Sequence, residues 1–388
     1  MKLGILTQPP KMGQNYGCIL QAYALQTKLN ELGHESEIID LRAKNKTRSL
    51  LYKCISVFVR IFKRYILNNK KYPKPFDQWD FTEEIRNYIY KNTLDFVDKH
   101  LITTEQIEPR GKGNVGRFIS SKFDGFIVGS DQVWRPGYVY NLPIYFLDFV
   151  KEENVKRIAY AASFGVAENE YNDEMINLCK PLAQKFDAIS VREDSGVKLC
   201  KELFDVEAVH VIDPTMFFDS EHYIKLSKER NDYFNDGDCF TYILDKSSEK
   251  QSIVDRICIK YKLKPFNVMA KAKFKDVGPK HIDDCIMQPV EQWLDGFNKA
   301  KFVVTDSFHG TVFSILFKKP FITIGNADRG MARFDSLLRM FHLENRLIHS
   351  EKELTEELLN SEINFEAVHE ILARERKKAE MFLIEALS

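Results

Sequence analysis

Residues 302–324 read FVVTDSFHGTVFSILFKKPFITI. Two short strand-type runs, Phe302–Thr305 and Phe321–Ile324, flank an apolar segment with helical spacing, and the polar stretch TDSFHG joins the first run to it. A strand, a tight polar hand-over, a helix and a second strand make the repeating unit of a parallel sheet covered by helices. Asp306 or Ser307 is placed to cap the helix, its side-chain oxygen accepting from a backbone N–H two or three residues on. His309 then falls in the first turn, about 100° around from Phe308, which shares a buried stripe with Val312, Ile315 and Leu316. A helix start offers free N–H groups and partial positive charge, so an imidazole there can bind or protonate a phosphate or carboxylate. A core or capping histidine is the plainer reading.

The same alternation extends outward. KLGILT, SEIIDL, FDGFIVG, KRIAYAASFG, the start of FDAISVREDSGVKLCKELF and EAVHVIDPTMFF read as strands of a first series. CFTYILD, PFNVMA, FVVT and FITIG belong to a second. Helical patterns such as YGCILQAYALQTKLNELG and SSEKQSIVDRICIKYKL separate them. The aromatic, acidic region 76–110 reads as helical, and GKGNVG at 111–116 as a turn, because no strand precedes it and no Ser or Thr follows its Gly-Lys pair. The expected fold is α/β, with two Rossmann-like domains, 1–218 and 219–388, facing a cleft; the first carries a basic insertion at about 42–75 and the second ends in helices. Ligands in such sheets sit beyond the carboxyl ends of strands. That rule selects Asn15, Tyr16, Ser130, Asp131, Ser163, Arg192, Asp213, Asp306, Ser307 and His309, with the aromatics Trp134 and Tyr138 nearby, where a place in the core is the commoner case.

Composition sets the limits. The chain has 388 residues, 44% hydrophobic and 29% charged, with 56 Lys+Arg against 56 Asp+Glu, so net charge names no partner. No stretch is long and apolar enough to span a bilayer, and the N-terminal run is broken by Pro9 and Pro10, unlike a signal peptide. The seven cysteines include no CxxC pair and the nine histidines no HxxxH or HExxH spacing. Reduced thiols in a cytoplasm and no metal are therefore expected.

The balanced charge hides one asymmetry. From Arg42 to Pro75 there are eleven Lys or Arg and no Asp or Glu. Within that stretch LLYKCISVFVRIFKRYIL carries an apolar stripe at 51, 54, 55, 58, 61, 62, 65 and 66, with Lys53, Arg60 and Arg64 on the other face. Two readings stand: a basic amphipathic helix peripheral on the inner face of an anionic membrane, or a surface helix docked on the core with its basic face solvated. Nucleic acid is not expected, since neither a motif nor an interleaved aromatic platform is present.

Six pieces in order, QNYGCILQAYAL, FDGFIVGSDQVW, RIAYAASFG, AISVREDSG, VIDPTMF and TDSFHGTVFSI, followed by RGMARFDSLL, resemble the polysaccharide pyruvyl transferase family over most of residues 1–340. The basic stretch and the last 45 residues lie outside these motifs. The resemblance implies a fold like the B-type glycosyltransferases. It implies phosphoenolpyruvate as donor, no cofactor, and a glycan or lipid-linked oligosaccharide as acceptor, giving a pyruvate ketal and phosphate. The family's helix-start histidine falls on His309 and its donor-binding arginine on Arg192. Where many members have Arg-Leu-His, this chain has Ser307-Phe308-His309, so the lost cation must come from elsewhere, Arg329 and Arg333 being nearest. In this reading His309 is the acid toward the donor, Asp131 the base toward the acceptor hydroxyl, and Arg192, Ser307, Phe308, Arg329 and Arg333 hold the donor. Asn15, Tyr16, Ser130, Trp134 and Ser163 line the cleft. Alternatives are a sugar-nucleotide-dependent glycosyltransferase or epimerase of the same fold, and a non-catalytic glycan-binding module.

Overall fold

A computed structural model describes residues 1–42, 50–67, 79–108, 122–326 and 329–388. The turn at 111–116 and the cations Lys44, Lys46, Arg48, Lys70, Lys71 and Lys74 lie outside the described residues.

The first sheet contains β1 (Lys2–Leu6), β2 (Glu35–Ile38), β3 (Gly125–Val128), β4 (Lys156–Ala162), β5 (Ala188–Val191) and β6 (Val209–His210). Its order is β2-β1-β3-β4-β5-β6, all parallel. The second contains β7 (Cys239–Tyr242), β8 (Pro265–Phe266), β9 (Phe302–Thr305), β10 (Phe321–Ile324) and β11 (Leu347–Ile348), in the parallel order β11-β10-β9-β7-β8. β3, β7, β9 and β10 are buried throughout, as strands covered on both faces must be. EAVHVIDP yields only two paired residues before Asp213 caps the turn Pro214–Phe217 by accepting from the Thr215 N–H at 3.0 Å. The aromatic region is helical at Glu83–Ile89 and Lys91–His100.

The two halves share one apolar core. Tyr16 of the first half stacks on Trp293 of the second at 5.4 Å and donates its hydroxyl to the Gln288 carbonyl at 2.9 Å. The last helix, Phe365–Leu387, touches both halves: His369 Nε2 is 3.0 Å from the Ile315 carbonyl of the second, while Phe382 meets Tyr160 at 6.3 Å and Arg376 Nη2 donates to the Phe218 carbonyl at 2.6 Å in the first. Arg42, counted in the basic stretch, is buried and forks onto Asp40 at 2.5 and 2.6 Å, so it is not part of a solvated basic face.

Candidate active site

In each sheet the strand order reverses once, between β1 and β3 and between β7 and β9. Clefts form where connections diverge to opposite faces, beyond the carboxyl ends of the two strands. The two reversal points contribute to one cavity of about 250 Å³, lined from the first half by Asn15, Cys18 and Asp131 and from the second by Ser307, His309 and Arg333. A larger cleft of about 1310 Å³ includes Trp79, Phe81, Tyr90, Lys271 and Lys273 in its wall. The two share Gln14, Asn15, Leu244 and Arg329.

His309 lies in the first turn of helix Phe308–Leu316, with Ser307 as N-cap. The Ser307 hydroxyl accepts from the Gly310 N–H at 3.4 Å. Opposite stands the start of helix Tyr16–Glu31, capped by Asn15, which accepts from the Cys18 N–H at 3.2 Å. Gly17 sits directly against the imidazole: a methyl on its Cα would fall 2.0 Å from His309 Nδ1. On the ring's other nitrogen, Nε2 is 3.5 Å from Asp213 Oδ2, within ion-pair range but out of hydrogen-bond alignment.

Asp213 and Asp131 are held by one guanidinium. Arg192 Nη1 donates to Asp213 Oδ2 at 2.7 Å and Nη2 to Asp131 Oδ1 at 3.2 Å, and its Nε has no partner among the described residues. Burial alone would raise both carboxyls. At Asp213, His309 and Arg192 outweigh it; at Asp131, Arg192, His309 and Arg333 do, so both stay below the ordinary carboxylate range. Asp131 has φ 71°, a left-handed backbone that Asp tolerates better than most side chains. Its Oδ2 accepts no hydrogen bond among the described residues.

Arg333 is the contrasting case. Its side chain is 6% exposed, lies on the cavity wall 5.5 Å from the Phe308 ring centre, and among the described residues donates only to the Arg329 carbonyl. No carboxylate lies within ion-pair distance among the described residues, and its Nε is unpartnered. Burial, then the neighbouring Arg192, lower its pKa to about 10. Arg329 also lines the cavity, but Asp245 engages it at 2.6 and 3.3 Å.

Of the other expected residues, Asn15 lines both spaces. Arg192 is buried under the site rather than on its wall. Trp134 is a correction: it is fully buried, stacked on Phe146 at 4.9 Å, with its indole N–H donating to the Tyr145 carbonyl. Ser130 and Ser163 are likewise buried, donating to the Ala161 carbonyl and to Glu193, and Tyr16 joins the two halves. Asp306 accepts from the Leu244 and Asp245 N–H groups and from Lys250, which fixes the loop after β7. Sequence reasoning missed Gly17 and the aromatic wall of Trp79 and Phe81. A glycine just after a cap at a strand-end helix was the available signal for the first, and the aromatic density of 76–110 for the second. Among the described residues no group of His, Cys, Asp and Glu could hold a metal ion.

Two Rossmann-like domains, with a polar site at their facing reversal points, define the B-type glycosyltransferase class of fold. Within that class the chain belongs to the polysaccharide pyruvyl transferase family, whose profile matches residues 15–329 and so runs across the basic stretch that the motifs leave outside. It is therefore a transferase of polysaccharide biosynthesis. No curated protein matches. Solved structures similar in fold include the UDP-GlcNAc 2-epimerase of Neisseria meningitidis, at 10% identity and TM-score 0.46 over 100% of this chain and 99% of that one. The Methanocaldococcus jannaschii UDP-GlcNAc 2-epimerase gives 11% and 0.49 over 96% and 99%. A Listeria monocytogenes protein described as a UDP-N-acetylglucosamine 2-epimerase gives 10% and 0.46 over 96% and 91%.

Proposed function

We propose that the chain transfers pyruvate from phosphoenolpyruvate onto two hydroxyls of a sugar in a cell-surface polysaccharide precursor, forming a ketal and releasing phosphate. The observation that carries this reading is Arg333, a buried guanidinium with no counter-ion among the described residues, on the wall of a small cavity beside a helix start. A buried charge is costly until something pairs with it, and a ligand anion would do so. About 250 Å³ suits a small acid phosphate better than a sugar nucleotide, since pockets for drug-sized ligands run from roughly 300 to 1,000 Å³.

In this reading Arg333 and the N–H groups at the start of the His309 helix hold the donor's phosphate and carboxylate. His309 gives a proton to the donor's C3, which becomes a methyl group and leaves C2 oxocarbenium-like. One sugar hydroxyl bonds to C2 and loses its proton toward Asp131. The C2–O bond to phosphate breaks, and the second hydroxyl closes the ketal at C2. Of the two hydroxyl protons, one restores His309 and one leaves with phosphate. Asp131 is a weak base because its pKa is held low, yet a hydroxyl bonding to a cationic carbon is acidic enough to need no stronger one. Asp213 and Arg192 orient the pair. The larger cleft would take the acceptor, with Trp79 and Phe81 offering faces for sugar rings.

The test is incubation with phosphoenolpyruvate and carrier-linked oligosaccharides, reading phosphate release and product mass. His309→Ala should lower kcat by about 10² to 10⁴, and His309→Gln should recover little, because an amide delivers no proton. A core histidine predicts lost melting temperature with activity per folded molecule intact. Protection from unfolding by a sugar nucleotide, and none by phosphoenolpyruvate, would transfer the reading to a glycosyltransferase or epimerase.

A further inference from the structure

Helix Leu50–Ile61, continued by the turn Phe62–Ile66, is turned opposite to a surface helix docked on a core. Its apolar residues face outward: Phe58 is 71% exposed, Ile66 66%, Tyr65 63%, Ile55 55% and Phe62 50%. Arg60, Lys63 and Arg64, on its flank and far side, are half-buried instead. At 100° per residue Ile55, Phe58, Val59, Phe62 and Ile66 share an arc of about 100°, so the exposed residues form one continuous stripe. Monomeric proteins rarely leave so large a contiguous apolar face in water.

We infer that this stripe inserts into the headgroup region of an anionic bilayer, which anchors the enzyme peripherally. Charge selects that occupant. Setting aside Arg42, which is paired with Asp40, residues 43–75 keep the other Lys and Arg residues of the basic stretch and no acid. By sequence this segment is basic throughout, so a second copy of the chain would bring like charge to it, whereas an anionic surface brings the opposite charge. Tyr52, Phe58, Phe62 and Tyr65 are residues of the kind that settle at the boundary of headgroup and acyl chain. No helix among the described residues is long and apolar enough to cross a membrane, so the helix lies in the surface rather than spanning it. The inference stands apart from the pyruvyl chemistry, and its test contains neither donor nor acceptor.

Of the seven free cysteines only Cys54, on this helix, is exposed, so an environment-sensitive dye can be placed there selectively. The labelled full chain is mixed with vesicles of phosphatidylcholine alone or with phosphatidylglycerol, and sedimentation and dye emission are read. Anionic vesicles should bind at least about tenfold more tightly than neutral ones, and the difference should collapse as salt shortens the Debye length. The Phe58→Asp, Phe62→Asp double variant should lose binding about tenfold or more while keeping its melting temperature, because both side chains are exposed. Equal binding of wild type and double variant would overturn the inference. So would a wild-type dimer that the double variant dissolves without any vesicle binding, which would give the face to a second copy.

Discussion

Arg192 and Arg333 stand over the same Phe308 ring, at 4.5 and 5.5 Å, yet their substitution should have opposite effects. Arg192 neutralises two buried carboxylates, and its removal leaves Asp131 without an ion pair and Asp213 with only the His309 imidazole, 3.5 Å away. Arg192→Met should cost about 3–5 kcal/mol of stability at neutral pH, as broken buried pairs do. The carboxyls it holds are shifted down in the folded state, so the stability they contribute is full above the unfolded carboxylate value and fades as pH falls through the folded values. The gap between wild type and Arg192→Met in chemical denaturation should therefore narrow below about pH 4. Arg333 pairs with no acid among the described residues, so Arg333→Gln removes a desolvated cation. The free protein should keep or gain melting temperature, while phosphoenolpyruvate binding weakens by about 1.5–3 kcal/mol, the scale of a hydrogen bond to a charged group. Calorimetry and melting on the two variants read both signs; a destabilised Arg333→Gln with donor affinity intact would make Arg333 structural.

Two helix starts pressed against one imidazole are the site's central construction, and Gly17 is the residue that permits it. In Gly17→Ala the added methyl overlaps His309 Nδ1, and the ring, backed by Asp213, must turn away. Kcat should fall by about 10-fold or more with a smaller relative loss of donor binding, since the arginines are untouched. An unchanged kcat would mean the ring's position is not critical. The sequence made the elements around this site legible because each has a long signal: the stripe and cap of helix Phe308–Leu316, the apolar runs of β3 and β9, and the Asn15 cap. β6, β8 and β11 have two residues each, too few for any periodicity to register. Trp134 follows a strand as the cleft residues do, and it is packing on Phe146, Phe164 and Phe204 that sends it to the core. The pairing of Arg192 rather than Arg333 with acid depends on which residues meet across three strand ends, and no local pattern carries that. The outward face of helix Leu50–Ile61 was equally hidden, because its periodicity specifies a stripe and not the direction it points.

At the scale of the whole molecule, the two halves are joined by the apolar core and by helix Phe365–Leu387. They also meet at two glycines. Gly330, from the second half, has φ 91°, and a methyl there would fall 2.1 Å from the carbonyl oxygen of Gly165 in the first. Gly165 is itself anchored by its N–H, which donates to buried Glu193 at 2.7 Å. Gly330 follows Arg329 directly and precedes Arg333 by three residues, so any retreat of its loop draws both arginines from the cavity. Gly330→Ala should therefore weaken donor binding by about tenfold, or 1.4 kcal/mol, beyond the 1–2 kcal/mol of stability that a left-handed alanine costs. Adding the Arg333→Gln change to Gly330→Ala should cost less affinity than the two losses summed, because both act through the same guanidinium. Full additivity in calorimetry, or donor affinity unaffected by Gly330→Ala, would separate the meeting of the two glycines from the holding of the donor.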